Sequence, residues 1–328
     1  MSYIDLLVSI IETAPIVKRP AARSDIAAGL IDTQWTIRYI ETVLTSVLLP
    51  CWNALDLTQV CLKQLTRWTS RPFEVVVVDN GSRDGTWAWL TRWRRRRRTP
   101  GSDPLKGVTL LRNPVNRGYA AAMNQAISAA RGELLVFGNA DAAVGPRWLE
   151  EMSVLFSKRR RRGGLSPCVN PRETSSGRRL WSMRPWYEDL DGMVRFAHAR
   201  ALSPRAKPFI PAADSFIPGF WFMTSRAALE KAGLFDERFK RGGLEDWDLQ
   251  LRLRRAGYEL GFAGRAYVHH EWSGVLRRNG LDPAALYSAN RRLFSAKHPG
   301  VQVGRISGKF LIDGRRREFE RRGRPVER

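Results

Sequence analysis

At 328 residues, with 43% hydrophobic and 27% charged residues, the chain is long enough to bury a substantial core as one large domain, alone or with a small appendage. Its three cysteines, Cys51, Cys61 and Cys168, show no paired spacing, so they indicate neither a disulfide framework nor a zinc knuckle and favour a reducing compartment. The net charge of +23 and the pI near 11.0 predict attraction to nucleic acid, an anionic membrane or a phosphate-bearing substrate.

Residues 1–42 are mixed in character and are predicted to form a helical extension. The opening MSYIDLLVSIIETAPIVKRP has acids within its apolar stretch and no basic start, so it is not interpreted as a signal peptide. No apolar run approaches the ~18 residues that a bilayer-spanning helix needs. A cytoplasmic protein is expected, and attachment to the inner face of a membrane is left open.

From residue 43 onward, strands and helices alternate. TSVLLP, FEVVVVD, VTLLR and ELLVFGN are predicted strands, and their apolar and β-branched runs are typical of a parallel sheet covered on both faces. Predicted helices follow the strands, among them Leu55 to Trp68, YAAAMNQAISAARG and PRWLEEMSVLF. This alternation predicts a doubly wound α/β sheet that binds its ligand at the carboxyl ends of the strands.

The second half of the chain is less regular. Residues 163–216 are rich in Pro, Arg, Trp and Ser, and are predicted to form loops and short elements. SFIPGFWFMTS is strand-like, RAALEKAG and LEDWDLQLRLRRAG are predicted helices, and YELGFAGRAYVHHEW is a predicted strand and turn. Residues 276–328 are predicted to form a helical tail with a basic end.

Three basic runs, at residues 92–98, 158–162 and 315–317, follow or lie within predicted helices. A solvated loop or helix end explains each one taken alone. Together they are also consistent with a patch for anionic lipid or for an acceptor phosphate. Because no RNA-binding motif with interleaved aromatics and no helix-turn-helix pattern accompanies them, nucleic acid is not an expected partner.

Polar residues follow the predicted strands at the edge where a ligand would bind, and a role in the core does not explain them: Asn53, Asp79, Asn116 and Asp141. Asp79 can accept hydrogen bonds from a ring N–H or a ribose hydroxyl, although an ordinary βα turn explains it equally well. Asp141, in FGNAD, can hold Mg²⁺ or Mn²⁺ against a diphosphate, since magnesium commonly uses one or two protein carboxylates. Capping of the helix after Pro146 is the alternative.

Glu245 and Asp246 begin a predicted helix after two glycines, where the helix dipole also favours acids. Asp248 lies about 200° around the helix from Asp246, so only one of the two can point into a given site. His269 and His270 form no metal-ligand pair by spacing alone.

The order of these segments resembles the family-2 inverting glycosyltransferases with the GT-A fold, a group that includes rhamnosyl-, galactofuranosyl- and N-acetylhexosaminyltransferases. The resemblance runs from about Thr45 to Lys297 and is carried by SVLLPCWN, VVVVDNGSRDGT, NRGYAAAMNQAI, FGNAD, PGFWFMTSRAALEKAGLFDERF, EDWDLQLRLRRAGY and HHEW. It implies a GT-A type, Rossmann-like, doubly wound mixed sheet with a helical C-terminal tail. The catalytic domain is then residues 43–275, with a nucleotide-sugar-binding half at 43–157 and an acceptor and catalytic half at 158–275.

The resemblance also implies roles for individual residues. Asp246 matches the catalytic base, and Glu245 would contact or orient the acceptor or the base. Asp141 takes the last position of an Asp-x-Asp-type metal motif whose first position is here Asn139. His269, in a His-x-x-Trp arrangement, would be a further ligand, with His270 as the alternative. Residues expected to line the nucleotide-sugar are Pro50, Trp52, Asn53, Asp79, Asn80, Asn116, Gly118, Asn124, Asn139 and Ala140. Apart from the resemblance, the aromatic and arginine content of residues 163–216 predicts part of an acceptor site, because aromatics stack on sugar faces, and a surface loop that packs its tryptophans into a minor core is the alternative. The residues expected beside the acceptor are Trp181, Trp186, Trp221 and Trp272. Tyr287, Asn290 and Arg291 match a helix to which a structural role is assigned.

The implied reaction moves a sugar from a UDP- or dTDP-linked donor to a hydroxyl of a glycan or lipid-linked saccharide, with Mg²⁺ or Mn²⁺ as cofactor. Cell-wall or polysaccharide synthesis is the implied setting, and an anionic membrane is a further candidate partner. A sugar-phosphate nucleotidyltransferase is disfavoured because PCWNALDL lacks a glycine-rich basic loop. The alternative is a GT-A-like protein that has lost catalysis and binds polyanions or anionic membrane surfaces.

Overall fold

The computed structural model describes residues 41–97, 104–159, 161–170, 187–212, 215–303, 310–312, 315–319 and 325–327. These lie in one compact unit, Tyr39–Arg328. Except for its last two residues, the predicted N-terminal extension lies outside the described residues, and so do Trp181 and Trp186.

The described helices are α1 (Leu55–Trp68), α2 (Thr86–Arg96), α3 (Tyr119–Ala129), α4 (Trp148–Ser157), α5 (Leu190–Leu202), α6 (Arg226–Ala232), α7 (Glu245–Arg255), α8 (Gly274–Arg278) and α9 (Pro283–Lys297). The strands of the main sheet are β1 (Thr45–Cys51), β2 (Phe73–Asn80), β3 (Leu105–Asn113), β4 (Leu134–Phe137), β5 (Ala142–Val144), β6 (Arg162–Val169), β7 (Phe209–Pro211), β8 (Phe222–Ser225) and β9 (Glu259–His270). Short strands follow at the C-terminus: β10 (Gln302–Val303), β11 (Phe310–Ile312), β12 (Arg315–Phe319) and β13 (Pro325–Glu327).

The main sheet is mixed, with strand order β3-β2-β1-β4-β8-β6-β9-β5 and β7 paired to β9. β1, β2, β3 and β4 are mutually parallel, as the βαβ pattern predicts, whereas β8 is antiparallel to β4. Every residue of β2 is buried. Helices α1, α2 and α4 pack on one face of the sheet, and α3, α6 and α7 pack on the other. The carboxyl ends of β1, β2 and β4 therefore meet at a single edge, called here the catalytic edge.

The prediction that residues 163–216 form only loops and short elements is wrong. β6 is a fully buried strand between β8 and β9, and α5 packs on β9. The sequence of β6, RGGLSPCV, contains glycines and a proline, which are depleted in strands and therefore conceal it. Gly164 is needed because a Cβ there would overlap the ring of Phe222.

The C-terminal tail is helical over α9, as predicted. Beyond Val301 the described residues form β10 to β13, a small antiparallel sheet, so the predicted helical character ends with α9. None of the described helices is both long and apolar enough to cross a membrane.

Candidate active site

The turn after β1 is joined to the turn after β2 through Asn53. Its Oδ1 accepts a hydrogen bond from the backbone N–H of Arg83 at 2.7 Å, and its own N–H donates to Ser82 Oγ at 3.0 Å. Asn53 Nδ2 also donates to Asn279 Oδ1, just after α8, at 2.8 Å. Asn53 has a φ of 44°, a left-handed conformation that asparagine tolerates better than most residues. Pro50 and Trp52, beside this turn, are each partly exposed.

Asp79, at the end of β2, is fully buried. Its Oδ1 accepts from the N–H of Ser82 at 3.0 Å, whereas Oδ2 has no hydrogen-bond partner within the described residues and lies 3.6 Å from Arg112 Nε. A buried carboxylate oxygen without a donor is uncommon in a folded protein. Asp79 thus keeps one acceptor available at the carboxyl end of its strand.

Asn80, Asn116 and Gly118 form a hydrogen-bonded loop above β2 and β3. Asn80 Nδ2 donates to Asn116 Oδ1 at 2.9 Å and to the Gly118 carbonyl at 3.2 Å. Asn116 Oδ1 also accepts from the Gly118 N–H at 2.8 Å. Gly118 has a φ of 87°, and a Cβ there would lie 3.0 Å from the backbone nitrogen of Arg241. Glycine is therefore required where these two loops meet.

The side chain of Asn124 is hydrogen-bonded to the protein backbone and is not available to a ligand. Its Nδ2 donates to the Phe235 carbonyl at 2.9 Å and its Oδ1 accepts from the Phe235 N–H at 3.0 Å. Both ends of the amide are thereby used to hold the segment that precedes α7. The structure gives Asn124 a bracing role, not the ligand contact that was expected from the resemblance.

Asp141 and His270 form a buried pair at the end of β4. Asp141 Oδ1 lies 3.0 Å from His270 Nε2, and Oδ2 accepts from the Gly274 N–H at 3.0 Å. Asn139 Nδ2 lies 3.4 Å from the same His270 nitrogen, and Ala140 beside it is buried. Burial opposes ionisation of Asp141, but the charge and hydrogen bond of His270 outweigh it, so the pKa of Asp141 lies below its usual value.

His269 points to the other side of β9, because successive side chains of a strand alternate between faces. Its Nδ1 lies 2.6 Å from the Tyr187 hydroxyl, and its Nε2 lies 3.2 Å from Glu271 Oε1. Tyr187 in turn contacts the Tyr267 hydroxyl at 2.8 Å. Of the two histidines, the structure therefore places His270, not His269, beside Asp141.

The described residues contain no cluster of three or more His, Cys, Asp or Glu side chains that could bind a metal ion. The pair Asp141 and His270 nevertheless suits Mg²⁺ or Mn²⁺. Their 3.0 Å separation is close to that of neighbouring ligands on an octahedral ion with bonds of about 2.1 Å. Because magnesium commonly takes few protein ligands and completes its shell with phosphate and water, two protein atoms fit a metal–diphosphate site.

Glu245 and Asp246 are the first two residues of α7. Burial raises the pKa of Glu245 to about 8, and the charge of Asp246 adds to this. Burial also raises the pKa of Asp246 to about 6. Asp246 packs so closely on Gly219 that a Cβ at that position would overlap its carboxylate. A carboxylate of raised pKa is suited to accept a proton near neutral pH.

The ionisation of Tyr119, at the start of α3, is opposed by several acids. Burial raises the pKa of its hydroxyl, and the negative charges of Glu245, Asp246 and Asp141 raise it further.

Two residues that are adjacent in the chain, Gly219 and Phe220, link the two parts of the site by direct packing. Gly219 lies against the carboxylate of Asp246. The Phe220 ring stacks on His270, which contacts Asp141.

Asp248 faces away from this site, as the helical geometry predicts for one member of the pair. It is fully buried and contacts Arg252 at 2.8 Å, Lys297 at 2.7 Å and His298 at 2.8 Å. Burial opposes ionisation of Asp248, but these partners outweigh it and lower its pKa. Its role is to join α7 to the end of α9.

The prediction that Trp221 contacts the acceptor is wrong. Trp221 is fully buried and its ring packs edge-on against Trp148 in the core, so it cannot stack on a sugar. Trp272 is partly exposed and lies beside His270, with ring centroids 4.9 Å apart. Phe220 stacks on the same imidazole at 4.1 Å.

Several residues of the site escaped the sequence-based prediction. Gly219 and Phe220 lie in the motif PGFWF, but only the fold shows that one makes room for Asp246 and the other covers His270. Asn170 fixes His270 by exchanging hydrogen bonds of 2.8 and 3.0 Å with its backbone. Nothing in the local sequence marks Asn170, because it lies 100 residues before its partner.

Among known proteins, the family model for glycosyl transferase family 2 matches residues 46–233. The chain is 27% identical over 262 residues to N-acetylglucosaminyl-diphospho-decaprenol L-rhamnosyltransferase of Mycobacterium tuberculosis, covering 70% of this chain and 76% of that protein. It is 29% identical over 271 residues to the O-antigen biosynthesis protein RfbC of Myxococcus xanthus, covering 77% of this chain and 19% of that one.

Two solved structures show the same fold. S. aureus TarS superposes with a TM-score of 0.51 at 17% identity, covering 79% of this chain and 40% of TarS. GalNAc-T7 with UDP, GalNAc and Mn²⁺ superposes with a TM-score of 0.53 at 16% identity, covering 70% of this chain and 43% of that one. The predicted GT-A fold is thus confirmed, and the curated relatives support the prediction of a glycosyltransferase. Since the family model spans more than half of its length, the chain belongs to glycosyltransferase family 2.

Proposed function

We propose that the protein is an inverting glycosyltransferase that moves a sugar from a nucleoside-diphosphate-sugar to a hydroxyl of a glycan or lipid-linked saccharide. The observation that carries this proposal is that two adjacent residues link Asp246 to Asp141. Gly219 lies against the Asp246 carboxylate, and the Phe220 ring stacks on His270, which contacts Asp141. One acid then serves the acceptor and the other serves the leaving diphosphate.

In the proposed reaction, Asp246 accepts the proton of the acceptor hydroxyl while that oxygen attacks the anomeric carbon of the donor. The bond from the anomeric carbon to the diphosphate oxygen breaks on the opposite face, so the configuration inverts. The nucleoside diphosphate leaves with the bonding electron pair. The raised pKa of Asp246, about 6, makes this carboxylate a better proton acceptor than an ordinary aspartate.

Asp141 and His270 are the residues that would hold Mg²⁺ or Mn²⁺ at the diphosphate. When bound, the ion would offset the charge that develops on the leaving group. A structural relative of this chain is named with Mn²⁺ and UDP, which supports the proposal of a divalent metal. His270 replaces His269 as the proposed ligand, since only His270 contacts Asp141.

The donor and acceptor are proposed by class. Asp79, whose Oδ2 has no hydrogen-bond partner within the described residues, and the turn around Asn53 would contact the base and ribose of a UDP- or dTDP-linked sugar. The curated relative from Mycobacterium tuberculosis is named for rhamnosyl transfer to an N-acetylglucosaminyl-diphospho-decaprenol. A lipid-linked saccharide is therefore the first acceptor class to test.

Binding of the donor is expected to raise the melting temperature. Nucleotides and nucleotide-sugars based on UDP, dTDP and GDP would be screened by thermal shift, each with and without Mn²⁺. A ligand present at 100 times its Kd adds about 2.7 kcal/mol of stability, a shift of several degrees for a domain of this size. The largest shift is expected for a uridine or thymidine donor with Mn²⁺. If no nucleotide raises the melting temperature, the proposal is wrong.

The second candidate function is that of a polyanion-binding protein that has lost catalysis. It is motivated by the net charge of +23 and by Asn139, which stands where an acid would complete the metal motif. The buried Asp141–His270 pair and the base-like Asp246 favour the enzyme, because a binding protein has no need to bury these acids together.

We also propose a peripheral contact with an anionic membrane, made by a surface called here the basic edge. Helices α1 and α2 begin at the catalytic edge, so their last turns lie at the opposite, amino-terminal edge of the sheet. β6 starts at that same edge, because it is antiparallel to β8, which is antiparallel to β4. The exposed cations of the basic edge are Lys63, Arg67, Arg92, Arg94, Arg95, Arg96, Arg97, Arg159 and Arg161.

Two tryptophans accompany these charges. Trp89 and Trp93 stack on the surface of α2 with centroids 6.1 Å apart, and Arg97 lies 6.0 Å from the Trp93 ring. Both rings are partly exposed. Both rings also pack against the core of the sheet, so only part of each is available at the surface. Arginines beside partly exposed tryptophans are typical of surfaces that contact anionic headgroups.

Replacing Arg94, Arg95 and Arg96 with Gln is expected to weaken binding to phosphatidylglycerol vesicles about 100-fold, because each arginine near the surface contributes about 1 kcal/mol. Co-sedimentation with vesicles of phosphatidylglycerol and of phosphatidylcholine measures the effect.

The matched control replaces three exposed arginines of the catalytic edge, Arg83, Arg117 and Arg241, and should retain vesicle binding. Equal losses in the two triple variants would mean that only net charge matters and would refute the basic edge. Binding to duplex DNA in preference to vesicles would refute the membrane as its partner.

A further inference from the structure

The loop that leads into α7 has an unusual backbone. Four consecutive residues have positive φ angles: Arg241 at 59°, Gly242 at 107°, Gly243 at 101° and Leu244 at 74°. Glycine adopts such angles freely, but arginine and leucine are strained there. A run of this kind persists only when surrounding contacts hold it in place.

The first turn of α7 has no side-chain cap. Leu244 occupies the N-cap position and provides no side-chain hydrogen bond to the first turn. A Ser, Thr, Asp or Asn at this position would normally make that bond. Glu245 and Asp246 follow directly, so the direction in which their carboxylates point depends on how this loop is fixed.

Asn290, in the middle of α9, makes the contacts that fix the loop before α7. Its side-chain Nδ2 donates to three backbone carbonyls, those of Lys240 at 3.2 Å, Gly242 at 3.0 Å and Gly243 at 2.9 Å. Asn290 is buried, with 5% exposure. Three carbonyls around one atom require a donor there, so the amide nitrogen and not its oxygen faces the loop. Gly243 also lies against the backbone of Tyr287, one turn earlier in α9.

The end of α9 is joined to α7 as well. Asp248 contacts Lys297 at 2.7 Å and His298 at 2.8 Å, and all three lie where the two helices meet. The catalytic helix is therefore tied to α9 at two places: through the loop before its first residue, and through its first turn. Of these two connections, that of Asn290 acts on the strained loop itself.

We propose that Asn290 is a positioning residue of the transfer reaction. It holds the left-handed loop Lys240–Leu244 in the conformation that presents Asp246 to the acceptor. This inference rests on the proposed role of Asp246 as base, and it assigns to α9 a catalytic contribution made entirely through the backbone of another segment. Asn290 itself touches neither substrate nor metal.

Asn290→Asp tests this proposal, because it replaces the donor with an oxygen that repels the three carbonyls. The kcat should fall by about 10²-fold, the effect of misplacing a catalytic group by about 1 Å, while the KM for the donor stays within about twofold. Asn290→Ala, which removes the donor without repulsion, should give the same pattern at smaller amplitude. It keeps the test decisive if the Asp variant does not fold.

Hydrogen exchange gives a readout that does not depend on activity. Amides of residues 240–246 should exchange faster in both Asn290 variants, whereas those of β1 and β2 should not change. The matched control is Asp282→Ala, which removes the N-cap of α9, a bond of 2.9 Å to the Ala284 N–H, without touching the loop. It should lower the melting temperature yet leave kcat and loop exchange unchanged.

Unchanged loop exchange in both Asn290 variants would overturn the inference, and so would faster exchange with a normal kcat. A loss of kcat in Asp282→Ala equal to that in Asn290→Ala would also overturn it, because general weakening of α9 would then explain the effect. If the unmodified protein shows no transfer at all, the proposed function fails, while the exchange comparison still decides whether Asn290 holds the loop.

Discussion

Asp246→Asn is expected to lower kcat by about 10²–10⁴-fold, the usual contribution of a general base. The amide keeps the shape of the side chain and its place against Gly219, but it cannot accept the proton of the acceptor hydroxyl. Transfer would be followed with a radiolabelled donor at saturating acceptor. Donor binding, measured by thermal shift, should stay within about twofold, and this separates a chemical defect from misfolding.

The same base predicts how the rate depends on pH. Burial raises the pKa of Asp246 to about 6, so below that pH most of the base carries a proton and is inactive. The kcat/KM of the unmodified enzyme should therefore fall as the pH drops through about 6. Asp246→Asn should lose this limb of the profile. A variant that retains full activity, or the same acid limb, would remove Asp246 from the mechanism.

Asp141→Asn is expected to lower kcat by about 10²–10³-fold, because the site loses a negative ligand for the ion that balances the leaving diphosphate. The effect should be accompanied by a higher Mn²⁺ concentration for half-maximal rate. Titration of activity with Mn²⁺ after treatment with a chelator measures both.

The histidines provide the matched comparison for this test. His270→Ala removes the imidazole 3.0 Å from Asp141 and should weaken the Mn²⁺ response in the same way. His269→Ala removes a side chain that contacts Tyr187 and Glu271 instead, and should leave the Mn²⁺ response unchanged. If His269→Ala weakened the Mn²⁺ response and His270→Ala did not, His269 would be the metal ligand. If neither variant changed the Mn²⁺ response, no histidine would be a ligand.

The parallel half of the sheet could be predicted from sequence because its signals are local. β2 contains a run of four valines, Val75–Val78, followed by Asp79 and Asn80, and α1 begins and ends where the periodicity indicates. β6 was missed because it contains a proline and two glycines, which are depleted in strands. Its glycines make room for the rings of Tyr258 and Phe222, a requirement that exists only in the assembled sheet.

The site shows the same division. Helix geometry predicts that only one of Asp246 and Asp248 points into the site, and the family resemblance selects Asp246. Asp248 does face away, toward Lys297 and His298. Which of two adjacent histidines faces Asp141 depends on the register of β9 against β5, where Ala142 pairs with His270. A one-residue shift would exchange their faces, and no property of either histidine fixes that shift.

Trp221 and Asn124 illustrate a second limit. An exposed aromatic beside an acceptor and a buried one in the core look alike in sequence. Trp221 has 0% exposure, and one of the residues that it packs on is Trp148, 73 residues earlier. Asn124 lies at a motif position that suggests a ligand contact, yet both ends of its amide are taken up by Phe235. Long-range partners decided both cases.

The basic edge and the catalytic edge lie at opposite ends of the same strands. β2 alone has eight residues, a length of about 26 Å. An enzyme resting on a bilayer through its arginines would therefore hold its catalytic edge that far above the headgroups. In that orientation a lipid carrying one sugar, the acceptor for which the relative from Mycobacterium tuberculosis is named, would not reach the catalytic edge. The growing end of a longer lipid-linked saccharide would reach it, so membrane attachment would select acceptors by length.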